Sequence, residues 1–277
     1  MTTIETADGL ALNLYDWTIE DPKLTVAIFH GYGEHAGRYE ETAKRWQAKG
    51  ISSVAADWRG HGKSPGTRGH VERFTDYHRD ADALVEHAKS FGGPVAVVGH
   101  SMGGLLAAHW LLSGRGSELV GVVLSSPYLG LAVEVGAVKS GLGKMMSNIV
   151  PAFAQPSGLK GADVCRDPEL AALYDKDPLN NKKATARWFT ESNAAIESVH
   201  RRAGQLTTPL LLLYGGEDKV AKADATDRFA AALTGDNKTC ERLPGLYHEI
   251  LNEPPEQRHA IMDRMADWLL ARVEATS

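Results

Sequence analysis

Short apolar runs alternate with segments of helical periodicity along most of this chain. The runs are nearly free of polar residues, which is typical of strands that are covered on both faces of a sheet. Predicted strands lie at 10–17, 24–29, 51–57, 95–98, 119–124, 209–214 and 238–243. Because 10–17 alternates only loosely, we expect an antiparallel strand there and edge strands at the start of the sheet.

Between the strands, apolar residues recur at helical spacing. Tyr39, Ala43 and Trp46 form one such stripe and predict a helix that Gly50 ends. Further helices are predicted at 74–88, 105–112, 223–233 and 261–269. A regular alternation of strands and helices favours parallel βαβ units with helices on both faces of the sheet. The sequence therefore predicts an α/β domain.

The alternation breaks between Pro127 and about Leu206. This span has helical patterns without an evident apolar strand, so we expect an inserted helical cap and not a part of the sheet. The domain core would then consist of residues 1–126 and 207–277, with the cap at 127–206.

Composition limits the classes of protein to consider. The 277 residues are 43% hydrophobic and 23% charged, enough for a large core with an insertion, and the net charge of −5 does not favour nucleic-acid binding. The first ten residues lack the apolar segment of a signal peptide, and no apolar run reaches the length of about 18 residues that a spanning helix needs. Cys165 and Cys240 have no CxxC spacing, so we expect no disulfide framework and a cytoplasmic location.

One turn between a predicted strand and a predicted helix carries a serine at its apex. Gly99-His100-Ser101-Met102-Gly103 has the G-x-S-x-G form of a nucleophile elbow. Its glycines suit a tight turn that lifts the serine into strained backbone geometry. The alternative is a chance Gly-Ser-Gly turn, and the rest of the chain must decide between them.

A serine hydroxyl becomes a strong nucleophile when a base takes its proton and an acid orients that base. Asp218 follows the predicted strand 209–214, at the strand end where α/β sheets place their sites, and Glu217 is the competing carboxylate. His248 lies in the loop after the last predicted strand, whereas His259 falls within a predicted helix. Serine, acid and histidine thus occur in the order that the elbow requires.

The elbow also requires an oxyanion hole, which is a pair of N–H donors aimed at the oxygen that becomes negative. The N–H of Met102 would be one donor because it follows the serine. We expect the other from Tyr32 in His30-Gly31-Tyr32-Gly33, where the glycines let the backbone turn inward. The Tyr32 ring is then free to line the pocket; the alternative is a simple tight turn.

Five segments taken together match a known family. They are His30-Gly31-Tyr32-Gly33-Glu34-His35 with Arg38-Tyr39, Asp57-Trp58-Arg59-Gly60-His61-Gly62-Lys63-Ser64 continuing to Gly69, the elbow, Gly215-Gly216-Glu217-Asp218-Lys219, and Tyr247-His248-Glu249. This series resembles the α/β-hydrolase fold and, within it, the monoacylglycerol lipase and lysophospholipase-like group. Asp177-Pro178-Leu179 and 185–189 resemble the lid of that group.

The resemblance implies both a fold and an activity. It implies the α/β-hydrolase fold, with a mostly parallel central sheet flanked by helices and an inserted helical cap. It also implies a triad of Ser101, Asp218 and His248, no cofactor, and ester substrates with a fatty-acyl chain. Although His35, His61 and His70 stand close in sequence to arginines, they lack metal-ligand spacing, so we expect no metal and assign them to turn-stabilising hydrogen bonds.

An apolar stripe in the predicted cap bears on the substrate. It runs at helical spacing from Leu131 to Phe153, and its members either pack on the core or wall a channel for an acyl chain. The predicted substrate-binding residues are Tyr32, Leu142, Met145, Met146 and Ile149. A further expectation is transient contact of the cap with a membrane, helped only by Lys139 and Lys144.

The favoured function is a serine carboxylester hydrolase that cleaves monoacylglycerol-like, single-chain lipid esters through an acyl-enzyme intermediate. Lysophospholipase and general carboxylesterase activities are alternatives, followed by aminopeptidase or cofactor-free perhydrolase activity. A non-enzymatic binding protein of the same fold would be expected to lack a triad member, and none is missing. The expected partner is a small lipid ester, and the oligomeric state is not predicted.

Overall fold

An eight-stranded sheet forms the centre of the computed structural model, which describes residues 2–132 and 145–276. The strands are β1 (Thr2–Glu5), β2 (Ala11–Trp17), β3 (Leu24–Phe29), β4 (Ile51–Ala56), β5 (Val95–His100), β6 (Gly121–Ser125), β7 (Ala154–Pro156), β8 (Lys183–Thr185), β9 (Leu210–Gly215) and β10 (Lys238–Leu243). The order across the main sheet is β1-β2-β4-β3-β5-β6-β9-β10. Within it, β2 is antiparallel to both neighbours, and the other neighbouring pairs are parallel.

Helices connect the strands and cover the sheet. They are α1 (Glu40–Gln47), α2 (Asp76–Lys89), α3 (Met102–Leu111), α4 (Gly161–Val164), α5 (Pro168–Lys176), α6 (Ala186–Arg202), α7 (Ala223–Ala232) and α8 (Pro255–Thr276), with shorter 3₁₀ helices at Ala36–Tyr39, Ala203–Gln205 and Ile250–Asn252. Residues 145–149 are also helical. In the two described ranges, no helix combines the length and the apolar character that crossing a bilayer requires.

The central strands divide their side chains between two hydrophobic cores. In β5, Val95 and Val97 belong to one core, and Ala96 and Val98 to the other. Side chains from α2, α3, α6 and α7 complete the first core, and side chains from α1 and α8 complete the second. Successive residues of a strand face opposite sides, so an unbroken apolar run is what a strand between two helical layers needs. The predicted α/β class and mostly parallel sheet are confirmed.

The expectation that the sheet begins with edge strands at 10–17 and 24–29 is wrong, since β2 lies between β1 and β4. β3 lies in the middle of the sheet, between β4 and β5, and not at its edge. All of its residues are buried, which a strand with an open side would not allow. One edge is formed by β1, a largely exposed Thr-Thr-Ile-Glu strand that no apolar run predicted, and the other edge is formed by β10.

The segment predicted as a cap contains two strands that were not predicted and a helix that belongs to the core. β7 and β8 form a separate antiparallel pair of three residues each, too short and polar to show a period of two. α6 begins after Thr185, whose Oγ1 accepts the N–H of Trp188 at 3.2 Å. Trp188, Ala195 and Val199 pack in the same core as α3. The C-terminal part of this segment therefore packs in the core against α3 and α7, and the limits 127–206 stay a prediction.

Candidate active site

Ser101 stands at the end of β5, where the chain turns into α3. Its backbone has φ 51° and ψ −116°, in the positive-φ region that favours glycine. The Ser101 N–H donates to Ser125 O at 3.0 Å, and Ser101 O accepts the N–H of Tyr128 at 2.9 Å. A conformation of this kind costs about 1–3 kcal/mol and persists where its surroundings fix it. These bonds to the end of β6 and the loop beyond it hold the serine at the apex of the turn.

Gly103 allows the elbow to pass close to β3. A Cβ atom on Gly103 would lie 2.0 Å from Phe29 O, and one on Gly99 would lie 2.5 Å from Gly103 O. No side chain fits at such distances, so both positions need glycine. The steric cause differs between the two: for Gly103 it is the backbone of β3, and for Gly99 it is the backbone of the elbow itself.

His248 joins Ser101 to Asp218. Its Nε2 atom lies 2.8 Å from Ser101 Oγ, and its Nδ1 atom lies 2.6 Å from Asp218 Oδ2. The other Asp218 oxygen accepts the N–H groups of Val220 and Ala221, each at 2.8 Å. The structure thus brings the three residues together from the ends of β5, β9 and β10, where the carboxyl ends of parallel strands meet.

The alternatives for the acid and the base lie elsewhere. Glu217 is exposed, whereas the Asp218 side chain is only 3% exposed. His259 is on α8, where its Nε2 atom lies 2.8 Å from Glu41 Oε1. Asp218 and His248 are therefore the pair placed to act on Ser101.

The electrostatics of the site favour a base at His248. Burial alone would lower the pKa of His248, but the Asp218 carboxylate outweighs it and the net shift is upward. A carboxylate at Nδ1 also favours the tautomer in which Nε2 accepts a proton. The ring of His100 lies 5.0 Å from that of His248, and burial together with His248 lowers the pKa of His100. Of the two imidazoles, that of His248 is therefore the one that is more readily protonated.

Two backbone amides next to Ser101 are available to a bound oxygen. Met102 is the first residue of α3, so its N–H has no acceptor within the helix. Tyr32 follows Gly31, where a Cβ atom would lie 3.2 Å from Ser101 Cβ. Within the described parts of the chain, neither amide donates a hydrogen bond. The oxyanion role of these two donors stays a prediction, and their position is compatible with it.

A cavity of about 990 Å³ opens beside Ser101 and His248. Its walls are largely apolar and come from both the sheet domain and the predicted cap; they include Tyr128, Met146, Phe153, Leu159, Trp188 and Phe189. The rings of Tyr32 and Trp188 are in contact, with centres 3.7 Å apart. The volume is at the upper end of the roughly 300–1,000 Å³ that small-molecule sites occupy, which suits a long substrate.

Only some of the residues predicted to bind substrate line the cavity in the structure. Tyr32 and Met146 line the cavity. Met145 and Ile149 do not belong to its described lining, and their side chains are 51% and 67% exposed. They are four residues apart and lie about 40° from each other around the helix, whereas Met146 lies about 100° from Met145 and about 60° from Ile149, because a helix turns by about 100° per residue. Leu142 lies outside the described residues.

Residues 177–185, here called the cap strap, are bound to the loop that carries Tyr32. The bonds run from Asn181 N–H to Gly33 O at 2.8 Å, from Tyr32 Oη to Lys183 O at 2.7 Å, and between His35 Nε2 and Asp177 Oδ2 at 2.9 Å. The strap includes the Asp177-Pro178-Leu179 segment that matched the lid of the resembled group. One segment of the predicted cap is thereby bound to the candidate oxyanion loop.

The histidines considered for a metal each have a different partner. His61 Nδ1 lies 3.1 Å from Arg59 O, and His70 Nδ1 lies 3.1 Å from Thr185 Oγ1. His35 is engaged by the cap strap. Over 2–132 and 145–276, no group of histidine, cysteine and carboxylate side chains is placed to hold a metal ion.

Sequence reasoning missed a buried charged cluster beside His248. It consists of Glu34, Arg38 and Glu249, and both glutamates contribute to the cavity lining. The sequence does contain a sign of this cluster, because Glu34 and Arg38 have the spacing of an i,i+4 ion pair and Glu249 follows His248 directly. These residues were recognised only as parts of family motifs, and no physical role was predicted for them.

The fold and the Ser-His-Asp arrangement define the class as the α/β hydrolases. The sequence pattern of the Hydrolase_4 family, described as serine aminopeptidase, S33, matches residues 20–255. The chain belongs to this family.

Two named relatives and one solved structure resemble most of the chain. A Bacillus subtilis protein named phospholipase YtpA is 32% identical, with 88% of this chain and 95% of that protein covered. A Mycolicibacterium smegmatis protein named monoacylglycerol lipase is 31% identical, with coverages of 94% and 93%. The crystal structure of Paleococcus ferrophilus monoacylglycerol lipase aligns with a TM-score of 0.85 at 29% identity, covering 94% of this chain and 99% of that one.

Proposed function

We propose that this protein is a serine carboxylester hydrolase that cleaves monoacylglycerols and similar single-chain lipid esters through an acyl-enzyme intermediate. The observation that carries the proposal is the hydrogen-bonded series from Ser101 through His248 to Asp218 at the wall of a large, mostly apolar cavity. The series supports the chemistry, and the cavity supports the class of substrate.

In the proposed acylation, His248 acts first as a base and then as an acid. Ser101 Oγ attacks the ester carbonyl carbon while His248 Nε2 takes the hydroxyl proton, and Asp218 stabilises the imidazolium that forms. The carbonyl oxygen becomes negative and accepts hydrogen bonds from the Tyr32 and Met102 amides. The carbon–oxygen bond to the alcohol then breaks, and His248 gives its proton to the leaving glycerol oxygen.

Deacylation repeats the sequence with water in place of the serine. His248 takes a proton from water, the hydroxide attacks the acyl carbon, and the proton is returned to Ser101 Oγ as the fatty acid leaves. Each half-reaction restores the charges that it began with. The alternation of alcohol release and acid release predicts ping-pong kinetics.

The apolar walls favour a fatty-acyl substrate over a small polar ester. Aromatic and aliphatic side chains from Tyr128 to Phe189 surround the space next to Ser101. Each methylene that leaves water for such walls contributes about 0.8 kcal/mol, so a long chain gains substantial binding free energy. The names of the Mycolicibacterium and Paleococcus relatives agree with this substrate class.

Aminopeptidase activity is the second candidate, because the family description names it. An aminopeptidase must hold the ammonium group of its substrate, most simply with an unpaired carboxylate. The two buried carboxylates at the cavity, Glu34 and Glu249, are both bound by Arg38. This pairing leaves neither buried glutamate free to hold an ammonium group; Asp163, the remaining carboxylate of the described lining, is half-buried.

The cap surface supports a proposal of reversible membrane contact. Met145, Ile149, Val150 and Phe153 are large apolar side chains that are each more than two-fifths exposed, and Phe153 also lines the cavity. An apolar patch continuous with a lipid cavity is a fitting place for contact with the surface that supplies the lipid. The free cysteines, with Cys240 exposed, favour a reducing cytoplasm as the location.

A comparison of purified wild type with Ser101→Ala tests the proposed function. The substrates are 1-monooleoylglycerol, 1-oleoyl-lysophosphatidylcholine and leucine p-nitroanilide, and a fluorophosphonate probe reports covalent labelling. We expect the monoacylglycerol to be the best substrate, labelling of wild type alone, and a loss of about 10⁴-fold or more in the variant. Near wild-type hydrolysis by Ser101→Ala would overturn the mechanism, and faster cleavage of the anilide would overturn the substrate class.

A further inference from the structure

Three ionised side chains form a buried group next to His248. Arg38 binds Glu249 through two parallel bonds, Nη1 to Oε1 at 2.8 Å and Nη2 to Oε2 at 2.7 Å. The same Nη1 group also donates to Glu34 Oε2. Glu34 and Glu249 are 3% and 4% exposed. We call these residues the Glu34 cluster.

One end of the Glu34 cluster fixes the loop before Tyr32. Glu34 Oε1 accepts the N–H of Gly31 at 2.6 Å and the hydroxyl of Tyr39 at 2.8 Å. The Gly31 amide is thereby tied to a side chain only three residues later. Glu34 therefore fixes the peptide unit before Gly31. The next unit, which carries the N–H of Tyr32, the proposed oxyanion donor, is held at Gly31 O by His30 Nδ1 at 2.7 Å, so Glu34 acts on that donor through its neighbour.

The other end fixes the loop that carries the base. Glu249 follows His248 directly, and its carboxylate is held by Arg38 and by Asn252 Nδ2 at 2.8 Å. The Glu249 N–H donates to Val164 O at 2.7 Å. The His248 loop and the Tyr32 loop come from opposite ends of the chain, and Arg38 is a direct bridge between carboxylates that belong to them.

The chemistry of the cluster makes a purely structural role a poor explanation. Ions that leave water lose hydration, and a buried ion pair is often no more stabilising than apolar side chains of the same volume. What charged hydrogen bonds add is direction, because the planar guanidinium fits a carboxylate in one geometry. Burial would raise the pKa of both glutamates, but Arg38 outweighs it and lowers them, so both carboxylates stay ionised as acceptors.

We propose that Glu34 is a positioning residue, which acts with Arg38 and Glu249 to hold the oxyanion loop and the histidine loop at a fixed separation around Ser101. This inference rests on the proposed function, since it assigns the Tyr32 amide to the transition state. The cluster does not touch the reacting atoms. Its effect is therefore on kcat, through the alignment of donors with an oxygen that is charged only in the transition state.

The test compares Glu34→Ala, Glu34→Gln and Arg38→Lys with wild type, on monobutyrin and on 1-monooleoylglycerol. Glutamine keeps an oxygen that can accept the Gly31 N–H, whereas alanine removes it. Lysine keeps the charge of Arg38 but cannot form two parallel bonds with Glu249. Asp80→Ala is the matched control, because Asp80 is a fully buried carboxylate that is bound by Arg59 and belongs to α2.

We expect Glu34→Ala to lose about 100-fold in kcat with KM little changed, the scale of one lost oxyanion donor. The loss should be equal for the short and the long ester, because the oxyanion is common to both. Glu34→Gln should recover most of the activity, and Arg38→Lys should lose about tenfold, less than alanine at Glu34. Asp80→Ala should lower Tm at least as much while kcat stays near that of wild type.

Two results would overturn the proposal. One is a kcat within about threefold of wild type in both Glu34→Ala and Arg38→Lys, which is too small for a displaced oxyanion donor. The other is an equal kcat loss in Asp80→Ala at a matched fall in Tm, which would make the effect one of general stability. Should Glu34→Ala fail to fold, Arg38→Lys decides, and a kcat within about threefold of wild type in that variant overturns the proposal. Ser101→Ala runs in parallel, so an inactive wild type, or an active Ser101→Ala, overturns the proposed function itself.

Discussion

Asp218 binds His248 with one oxygen and its own loop with the other. Oδ2 lies 2.6 Å from His248 Nδ1, while Oδ1 accepts two backbone N–H groups at 2.8 Å each, from residues 220 and 221. The two backbone N–H groups therefore fix the orientation of the carboxylate. Its orientation does not depend on the histidine, which makes Asp218 the natural reference for the alignment of the base.

Asp218→Asn tests this alignment. The amide keeps the shape of the side chain but cannot stabilise the imidazolium, and its NH₂ group can favour the wrong tautomer of His248. We expect kcat for monooleoylglycerol to fall by about 10⁴-fold with little change in Tm. Steady-state kinetics and thermal unfolding measure the two quantities.

Glu217→Gln is the control for that substitution, since Glu217 is the adjacent, exposed carboxylate. It should hydrolyse the ester at the wild-type rate. A loss in Asp218→Asn of less than about tenfold, or an equal loss in Glu217→Gln, would contradict the assignment of the acid.

The pH dependence of kcat/KM should show an acidic limb that reports His248. The base accepts a proton only when it is neutral, so activity falls as the pH falls through its pKa. Because Asp218 raises that pKa above the usual 6.5, the limb should lie above that pH.

Asp218→Asn removes the charge that raises the pKa of His248 and leaves burial, which lowers it. The residual activity of this variant should therefore have its acidic limb at a lower pH than wild type. A pH series of kcat/KM with a soluble ester gives both profiles. A limb that stays in place or moves upward would show that another group governs the activity.

Met146→Trp tests the wall of the cavity. Met146 lines it, and a larger side chain there should shorten the space for the acyl chain. Each methylene that no longer fits should cost about fourfold in kcat/KM, from about 0.8 kcal/mol of burial. A series of monoacylglycerols with increasing chain length should show the optimum shifted to shorter chains.

Met145→Trp is its matched control, one residue away on a largely exposed face. Its chain-length profile should match that of wild type. If both variants shift the optimum equally, the helix at 145–149 does not direct Met146, rather than Met145, at the cavity.

Ile149→Asp tests the proposed membrane contact. Ile149 is 67% exposed and lies outside the described cavity lining, so a charge there should weaken adsorption without changing the chemistry. Hydrolysis of monooleoylglycerol in phosphatidylcholine vesicles should fall about tenfold or more, since a buried isoleucine contributes about 1.5–3 kcal/mol. Hydrolysis of soluble monobutyrin should be unchanged.

Phe91→Asp is the control for Ile149→Asp. Phe91 is also exposed, but it precedes the start of β5, whereas Ser101 follows its end. It should retain wild-type activity on vesicles. Equal losses at both positions would mean that added negative charge, and not the cap surface, accounts for the effect.

Local patterns explain why much of the fold could be predicted. Strands buried on both faces, such as β5 and β9, must be continuously apolar, and the helices between them must carry a stripe. The elbow then limits where an acid and a base can lie, because parallel strand ends meet at one edge of the sheet. This is how Ser101, Asp218 and His248 could be chosen from sequence, and their catalytic roles stay a prediction.

What could not be predicted depends on contacts that no local pattern records. The central position of β3 follows from its partners β4 and β5, and β1 is held by pairing with β2 rather than by an apolar run. The Glu34 cluster joins residues more than two hundred positions apart in the chain. The outward face of the helix at 145–149 is decided by how the cap packs, since its stripe alone allows either orientation.

The cap strap has a mechanical consequence. Its bonds to the loop of Tyr32 mean that a displacement of residues 177–185 would also displace an amide proposed to bind the oxyanion. An opening at this side of the cap would therefore displace the proposed oxyanion donor whenever it formed. Residues 154–157 are tied to the same strap, because β7 pairs with β8 and the Ser157 N–H donates to Lys182 O at 2.8 Å. A passage for lipid that leaves the proposed donor in place must therefore lie away from both the cap strap and β7.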